Sequence, residues 1–157
     1  MSKTLAAGQP APAFELDAST GNKVSLASLK GHPVVLFFYP KDNTPGCTRE
    51  ACGFRDLKAD FDAVGARVFG VSADSLKSHD KFVQDHGLNM PLLSDPQHAM
   101  LEAYGVWGEK KNYGKTYMGI TRTTVLIDAS GRVARVWAKV QVDGHPEEVL
   151  AAVRELA

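Results

Sequence analysis

Hydrophobic and polar positions along this chain switch repeatedly between a period of two and a period near 3.6, a pattern that predicts strands interleaved with helices. Phe14-Glu15-Leu16 and Val24-Ser25-Leu26 alternate around the turn residues Ser19 to Asn22, predicting an N-terminal hairpin. Val34 to Tyr39 is a continuous apolar run rich in β-formers, as in a central strand covered on both faces, and Pro40 stops it. The loop Lys41 to Gly46 then leads into a helix expected from about Cys47 to Val64, with Phe54, Leu57, Phe61 and Val64 as its buried stripe. A strand over Arg67 to Ser72 and a helix from about Ser75 to His86 follow. Pro91-Leu92-Leu93 reads as a short strand, Gln97 to Tyr104 as a short helix, and Gly105 to Gly119 as a glycine-rich loop. Thr123 to Ile127 and Val133 to Val140 predict two strands joined by the turn Asp128-Ala129-Ser130-Gly131. Val149, Leu150, Val153 and Leu156 give a closing amphipathic helix.

The order β-β, βα, βα, βα, β-β, α implies a central mixed sheet with helices on its faces, compatible with a thioredoxin-like α/β fold. Without repeats, low-complexity tracts or a linker, residues 1–157 read as one domain, long enough to bury a core without staples. Lys+Arg and Asp+Glu both total 18, so the chain has no basic excess for nucleic acid or an anionic membrane surface. No apolar stretch is long enough to span a bilayer. Met1 to Pro12 has no apolar run of signal-peptide length, so a cytoplasmic location is the expectation. Thiols are kept reduced there, which makes the two cysteines candidates for chemistry ahead of a structural staple.

The informative stretch is Pro40 to Cys52, where the buried strand ends and the amphipathic helix begins. In open α/β sheets that junction is the crevice where ligands bind. Cys47 falls in the first helical turn, whose unpaired N–H groups and positive dipole end favour an anion, and the thiolate is the reactive form of the group. Cys47 lies near the Phe54/Phe61 stripe and faces inward; Cys52 lies roughly opposite. Five residues of ideal helix separate their Cα atoms by a rise of about 7.5 Å. A disulfide needs about 7 Å or less and converging Cβ vectors. The two can pair only if the first turn and a half unwinds.

Pro40, Thr44 and Cys47, extended as Thr-Pro-Gly-Cys-Thr-x-Glu-Ala-Cys, resemble the active-site signature of the peroxiredoxins, closest to the bacterioferritin comigratory protein/peroxiredoxin Q group. The resemblance runs nearly the whole chain, through Gly8 to Phe14, Leu93-Ser94-Asp95, Tyr104 to Lys110 and Thr123 to Asp128. It implies a thiol-dependent peroxidase acting on hydrogen peroxide and organic hydroperoxides. Cys47 would be the peroxidatic cysteine and Cys52 the resolving one, condensing with the Cys47 sulfenic acid before further oxidation. Pro40 would shield the thiolate, Thr44 would hydrogen-bond the sulfur or a peroxide oxygen, and Arg122 would stabilise the thiolate and the leaving oxygen. Glu50 would hold that arginine. A thioredoxin-type reductant would restore the dithiol. The resemblance implies neither metal nor organic cofactor, and a monomer, with a dimer as the alternative.

The remaining candidates carry little. His32, His79, His86, His98 and His145 are scattered without metal-site spacing and are expected to be surface or half-buried histidines. Trp107 and Trp137 read as packing residues. Two rivals stay open at this stage. A thiol–disulfide oxidoreductase suits the fold, although such enzymes typically show Cys-x-x-Cys. A redox sensor would use the same disulfide to signal to a partner.

Overall fold

A computed structural model describes residues 5–156. Its main sheet has seven strands, in the order β2-β1-β5-β4-β3-β8-β9: β1 (Glu15–Ala18), β2 (Lys23–Ser25), β3 (Val34–Phe38), β4 (Arg67–Ser72), β5 (Leu92–Ser94), β8 (Thr123–Ile127) and β9 (Val133–Trp137). β3, β4 and β5 run parallel, and the outer pairings are antiparallel, so the sheet is mixed as expected. The predicted hairpin is β1–β2, and β1 joins it to β5 at the sheet.

β3 sits at the centre because every residue in it is apolar. Val35, Phe37 and Tyr39 project to one face, and Val34, Leu36 and Phe38 to the other, all essentially unexposed. The first face packs on α1 (Pro45–Asp56), α2 (Lys58–Ala63), α3 (Leu76–His86) and α5 (His145–Glu155) through Phe54, Phe61, Phe82 and Val149. The second is covered by α4 (Ala99–Ala103) and the leading residues through Leu101, Phe14 and Leu5. Among the described residues, no helix is long and apolar enough to cross a membrane.

Three expectations need correction. The helix predicted from Cys47 to Val64 starts two residues earlier, at Pro45, and breaks at Leu57, whose φ of −100° and ψ of 4° leave the helical region. The apolar stripe continues across the break, so periodicity alone reads two helices as one. The segment read as a glycine-rich loop is instead largely a hairpin, β6 (Trp107–Asn112) paired with β7 (Lys115–Ile120). Tyr113 (φ 51°) and Gly114 (φ 75°) supply the two positive φ angles that a tight primed turn requires. Tyr117 and Met118 are exposed, so the hairpin lacks the apolar-in, polar-out alternation by which strands are recognised. Its base is tied down where Trp107 stacks on His98, ring centroids 3.8 Å apart. The last strand also ends at Trp137, three residues short of expectation.

Candidate active site

The geometry follows from helical and sheet register. Within α1 the buried residues are Cys47, Glu50, Ala51 and Phe54, the i, i+3, i+4, i+7 set of one helical face. A glutamate is thereby placed on the same inward stripe as the first cysteine. Phe54 fixes that face to the sheet by stacking on Phe37, centroids 4.7 Å apart. Cys47 is 1% exposed in the first turn of the helix, two residues after Pro45. Pro45 sits where its missing N–H costs nothing.

Arg122 arrives from far along the chain. Antiparallel pairing of β3 with β8 sets Phe38 opposite Thr123, so the residue before Thr123 lies at the end of β3 from which the loop to Cys47 departs. There the Arg122 guanidinium bridges two groups of α1. Its Nη2 lies 3.3 Å from Cys47 Sγ, and its Nη1 donates to Glu50 Oε1 at 2.8 Å. Gly46 leaves room for it: a Cβ there would sit 3.1 Å from Arg122 Nη2.

The carboxylate of Glu50 is fully buried, and its Oε2 has no partner. Burial pushes the Glu50 carboxyl up to about 7, against the opposing pull of the Arg122 charge. For Arg122 itself burial acts downward, yet Glu50 and Cys47 together outweigh it and raise its value.

Thr44 is the residue preceding α1, and its hydroxyl donates to the Lys41 carbonyl at 2.8 Å. Pro40 is half-buried directly after Tyr39. Cys52 is half-buried at the edge of the apolar cluster on the same side of the sheet. The helix runs unbroken through both cysteines, and both are free thiols. Of the residues singled out in the sequence, Cys47, Glu50 and Arg122 therefore meet directly, while Cys52 waits one and a half turns away.

The expectation for the histidines is corrected at two positions. His79 and His145 are buried, at 0% and 3% exposure. His145 bridges Thr124 Oγ1 (2.8 Å) and Glu148 Oε1 (3.2 Å), and burial lowers its value. His79 joins Asp42, Tyr39, Ser78 and Asp74 in a polar knot beneath the loop that leads to Cys47. Asp42, Asp74 and His79 are of metal-ligating type with donor atoms within 4.8 Å of one another, but hydrogen bonds to protein groups already engage them. One sequence signal for His79 existed: it stands three residues before Phe82, on the buried stripe of α3. Asp42 lay inside the informative stretch without any pattern to distinguish it from a turn residue.

Comparison with known proteins agrees with the geometry. The AhpC/TSA family pattern matches residues 7–136. The chain is 47% identical over 154 residues to peroxiredoxin Bcp of Bacillus subtilis, covering 98% of each chain. It is 42% identical over 153 residues to peroxiredoxin Bcp of Escherichia coli, again covering 98% of each. Among solved structures it is similar to the Xanthomonas campestris bacterioferritin comigratory protein, studied for alkyl peroxide reduction (43% identity, TM-score 0.89, 96% of this chain and 98% of that one).

Proposed function

The chain belongs to the AhpC/TSA family as a peroxiredoxin of the Bcp type, and from that premise we propose that its reaction runs through Cys47 and Cys52, with Arg122, Glu50, Thr44 and Pro40 serving the first sulfur. It is a thiol-dependent peroxidase: a peroxide is the oxidant and a thiol the source of electrons. In the first step the Cys47 thiolate attacks one oxygen of the peroxide. The S–O bond forms as the O–O bond breaks, and the departing oxygen takes a proton to leave as water or an alcohol. Cys47 is then a sulfenic acid. The Cys52 thiol next displaces that hydroxyl, forming the Cys47–Cys52 disulfide and releasing water. An external dithiol, of the thioredoxin kind, exchanges with the disulfide and restores both thiols.

The observation that carries this reading is the Arg122 guanidinium 3.3 Å from Cys47 Sγ, fixed from behind by Glu50. A cation held there stabilises charge on the sulfur and, as the O–O bond stretches, on the departing oxygen, without reorganising during the reaction. Cys47 also lies in the first turn of α1, at the positive end of the helix dipole, which favours a negative charge there. Thr44 would turn its hydroxyl from the Lys41 carbonyl toward the bound peroxide, and Pro40 would keep water from the sulfur. The alkyl peroxide activity studied in the Xanthomonas relative supports organic hydroperoxides as substrates beside hydrogen peroxide.

The test is mass spectrometry after one equivalent of hydrogen peroxide. Wild type should end as the Cys47–Cys52 disulfide, whereas Cys52→Ser should stop at the Cys47 sulfenic acid and overoxidise with excess peroxide. An unmodified Cys47, or full cycling without Cys52, would remove the respective assignment.

A further inference from the structure

The loop leading to Cys47 is clamped by buried polar groups that the steps above do not use. Asp42, five residues before Cys47, is 5% exposed. Three side chains converge on its carboxylate. The Tyr39 hydroxyl donates to Oδ1 at 2.6 Å, the Ser78 hydroxyl donates to Oδ2 at 2.8 Å, and His79 Nδ1 lies 2.7 Å from Oδ2. The Asp42 N–H donates to Asp74 Oδ2 at 2.8 Å, an oxygen that also accepts from the Ser72 hydroxyl. The other ring nitrogen of His79, Nε2, meets the Leu93 carbonyl at 3.0 Å.

Donor and acceptor accounting constrains this cluster. A carbonyl oxygen only accepts, so Nε2 carries a proton. Nδ1 and Asp42 Oδ2 then hold one proton between them. The two hydroxyls donate to the same carboxylate, so each of its oxygens is engaged by a buried or half-buried partner. A buried polar pair of this kind is weak evidence for stability, because desolvation offsets much of the attraction. What it provides is direction, tying the loop after β3 to α3 and β5. The same loop contains Asn43 in the left-handed region (φ 59°), its side chain held by His86 Nε2 at 3.0 Å. Thr44, the residue preceding α1, follows at once.

We propose that Asp42 and His79 are positioning residues of the peroxidase reaction: their buried pair holds the loop 40–44 against α3, so that Thr44 and the Cys47 sulfur present a fixed target to the peroxide and stay anchored while α1 unwinds. The proposal rests on Cys47 being the reacting sulfur. Neither residue touches the substrate.

The experiment compares two reactions of Cys47 in the full chain. Oxidation by hydrogen peroxide needs an aligned site, whereas alkylation by iodoacetamide needs only an accessible thiolate. In Asp42→Asn, single-turnover oxidation should slow by about tenfold to a hundredfold, the scale of a small misplacement of reacting groups. Alkylation should fall far less. Ser78→Ala removes one donor to the same carboxylate and should show the same selective loss to a smaller degree, which covers failure of the first variant to fold. Wild-type oxidation rates in a folded Asp42→Asn or Ser78→Ala protein would overturn the proposal. So would parallel loss of both reactions, which is the mark of a merely structural role. A wild-type protein whose Cys47 ignores peroxide would instead overturn the reading beneath it.

Discussion

The segments on either side of Cys47 are held in opposite ways. Upstream, residues 39–44 are fixed by buried hydrogen bonds among Tyr39, Asp42, Ser78 and His79. Downstream, the first turns of α1 are held by two ion pairs of unequal worth. Arg49–Asp143 has side chains 62% and 90% exposed, and such a pair contributes about 0–1 kcal/mol. Glu50–Arg122 is buried and joined to the Cys47 sulfur. Beyond it, α1 packs closely at Gly53, where a Cβ would lie 2.7 Å from Pro146 on α5, and at Phe54 stacked on Phe37. Between these ends lies the stretch that, in the proposed reaction, unwinds for Cys52 to reach Cys47; its outer side is held only by an exposed pair, and its inner side by Cys47, Glu50 and Ala51. What the contrast teaches is that the one buried polar tie on the opening stretch, Glu50 to Arg122, is also the one that the proposed reaction uses for peroxide attack.

The comparison can be broken or sharpened by mutation. The largest effect belongs to Cys47→Ser, which should abolish peroxide consumption in a coupled assay; retained turnover would end the distinction between the two segments. Arg122→Met should slow Cys47 oxidation by about a hundredfold or more in stopped-flow, the typical scale for losing one fixed donor to a developing charge. If oxidation is unaffected, the downstream contact matters only for opening.

The third prediction concerns pH. The Glu50 carboxyl titrates at about 7 while α1 is folded and near its ordinary 4.5 once unwinding exposes it. The folded helix thus binds the proton more tightly. That stabilisation is fully present below 4.5 and is lost as pH rises through about 7. Closure of the Cys47–Cys52 disulfide should accelerate over this window. Glu50→Gln, which cannot ionise, should flatten that part of the profile in a rapid-quench experiment. Identical profiles would show that Glu50 does not govern opening. The smallest effect is expected for Arg49→Ala, with closure faster by no more than about fivefold, as loss of an exposed pair allows. A larger acceleration would mean that the outer pair, rather than Glu50, restrains the helix.

Much of this molecule was legible in its residues. β3 could be read because its run of apolar residues needs cover on both faces, and α3 and α5 because their apolar stripes repeat at the helical period. The Thr44-Pro45-Gly46-Cys47 turn and the spacing to Cys52 are local as well, and from them followed the need for α1 to melt before a disulfide can form. Local pattern misled where the determining contact was not local. The β6–β7 hairpin is exposed and carries no core alternation, so its glycines outweighed its strands; the stripe crossing Leu57 hid a break in the helix.

The chain by itself determined which chemistry is available: two thiols, one of them at a helix start behind a tight turn, and nearby groups able to carry charge. Only the tertiary structure decided which groups meet. Arg122 reaches Cys47 because β8 lies antiparallel beside β3 in a register pairing Phe38 with Thr123, a relation among residues more than eighty positions apart. Burial, likewise a property of the assembled fold, raised Glu50 and made partners of Asp42, read only as part of a loop, and His79, expected at the surface or half-buried. Periodicity reports which side of an element turns inward, but partners and solvent exclusion come from how the elements stack.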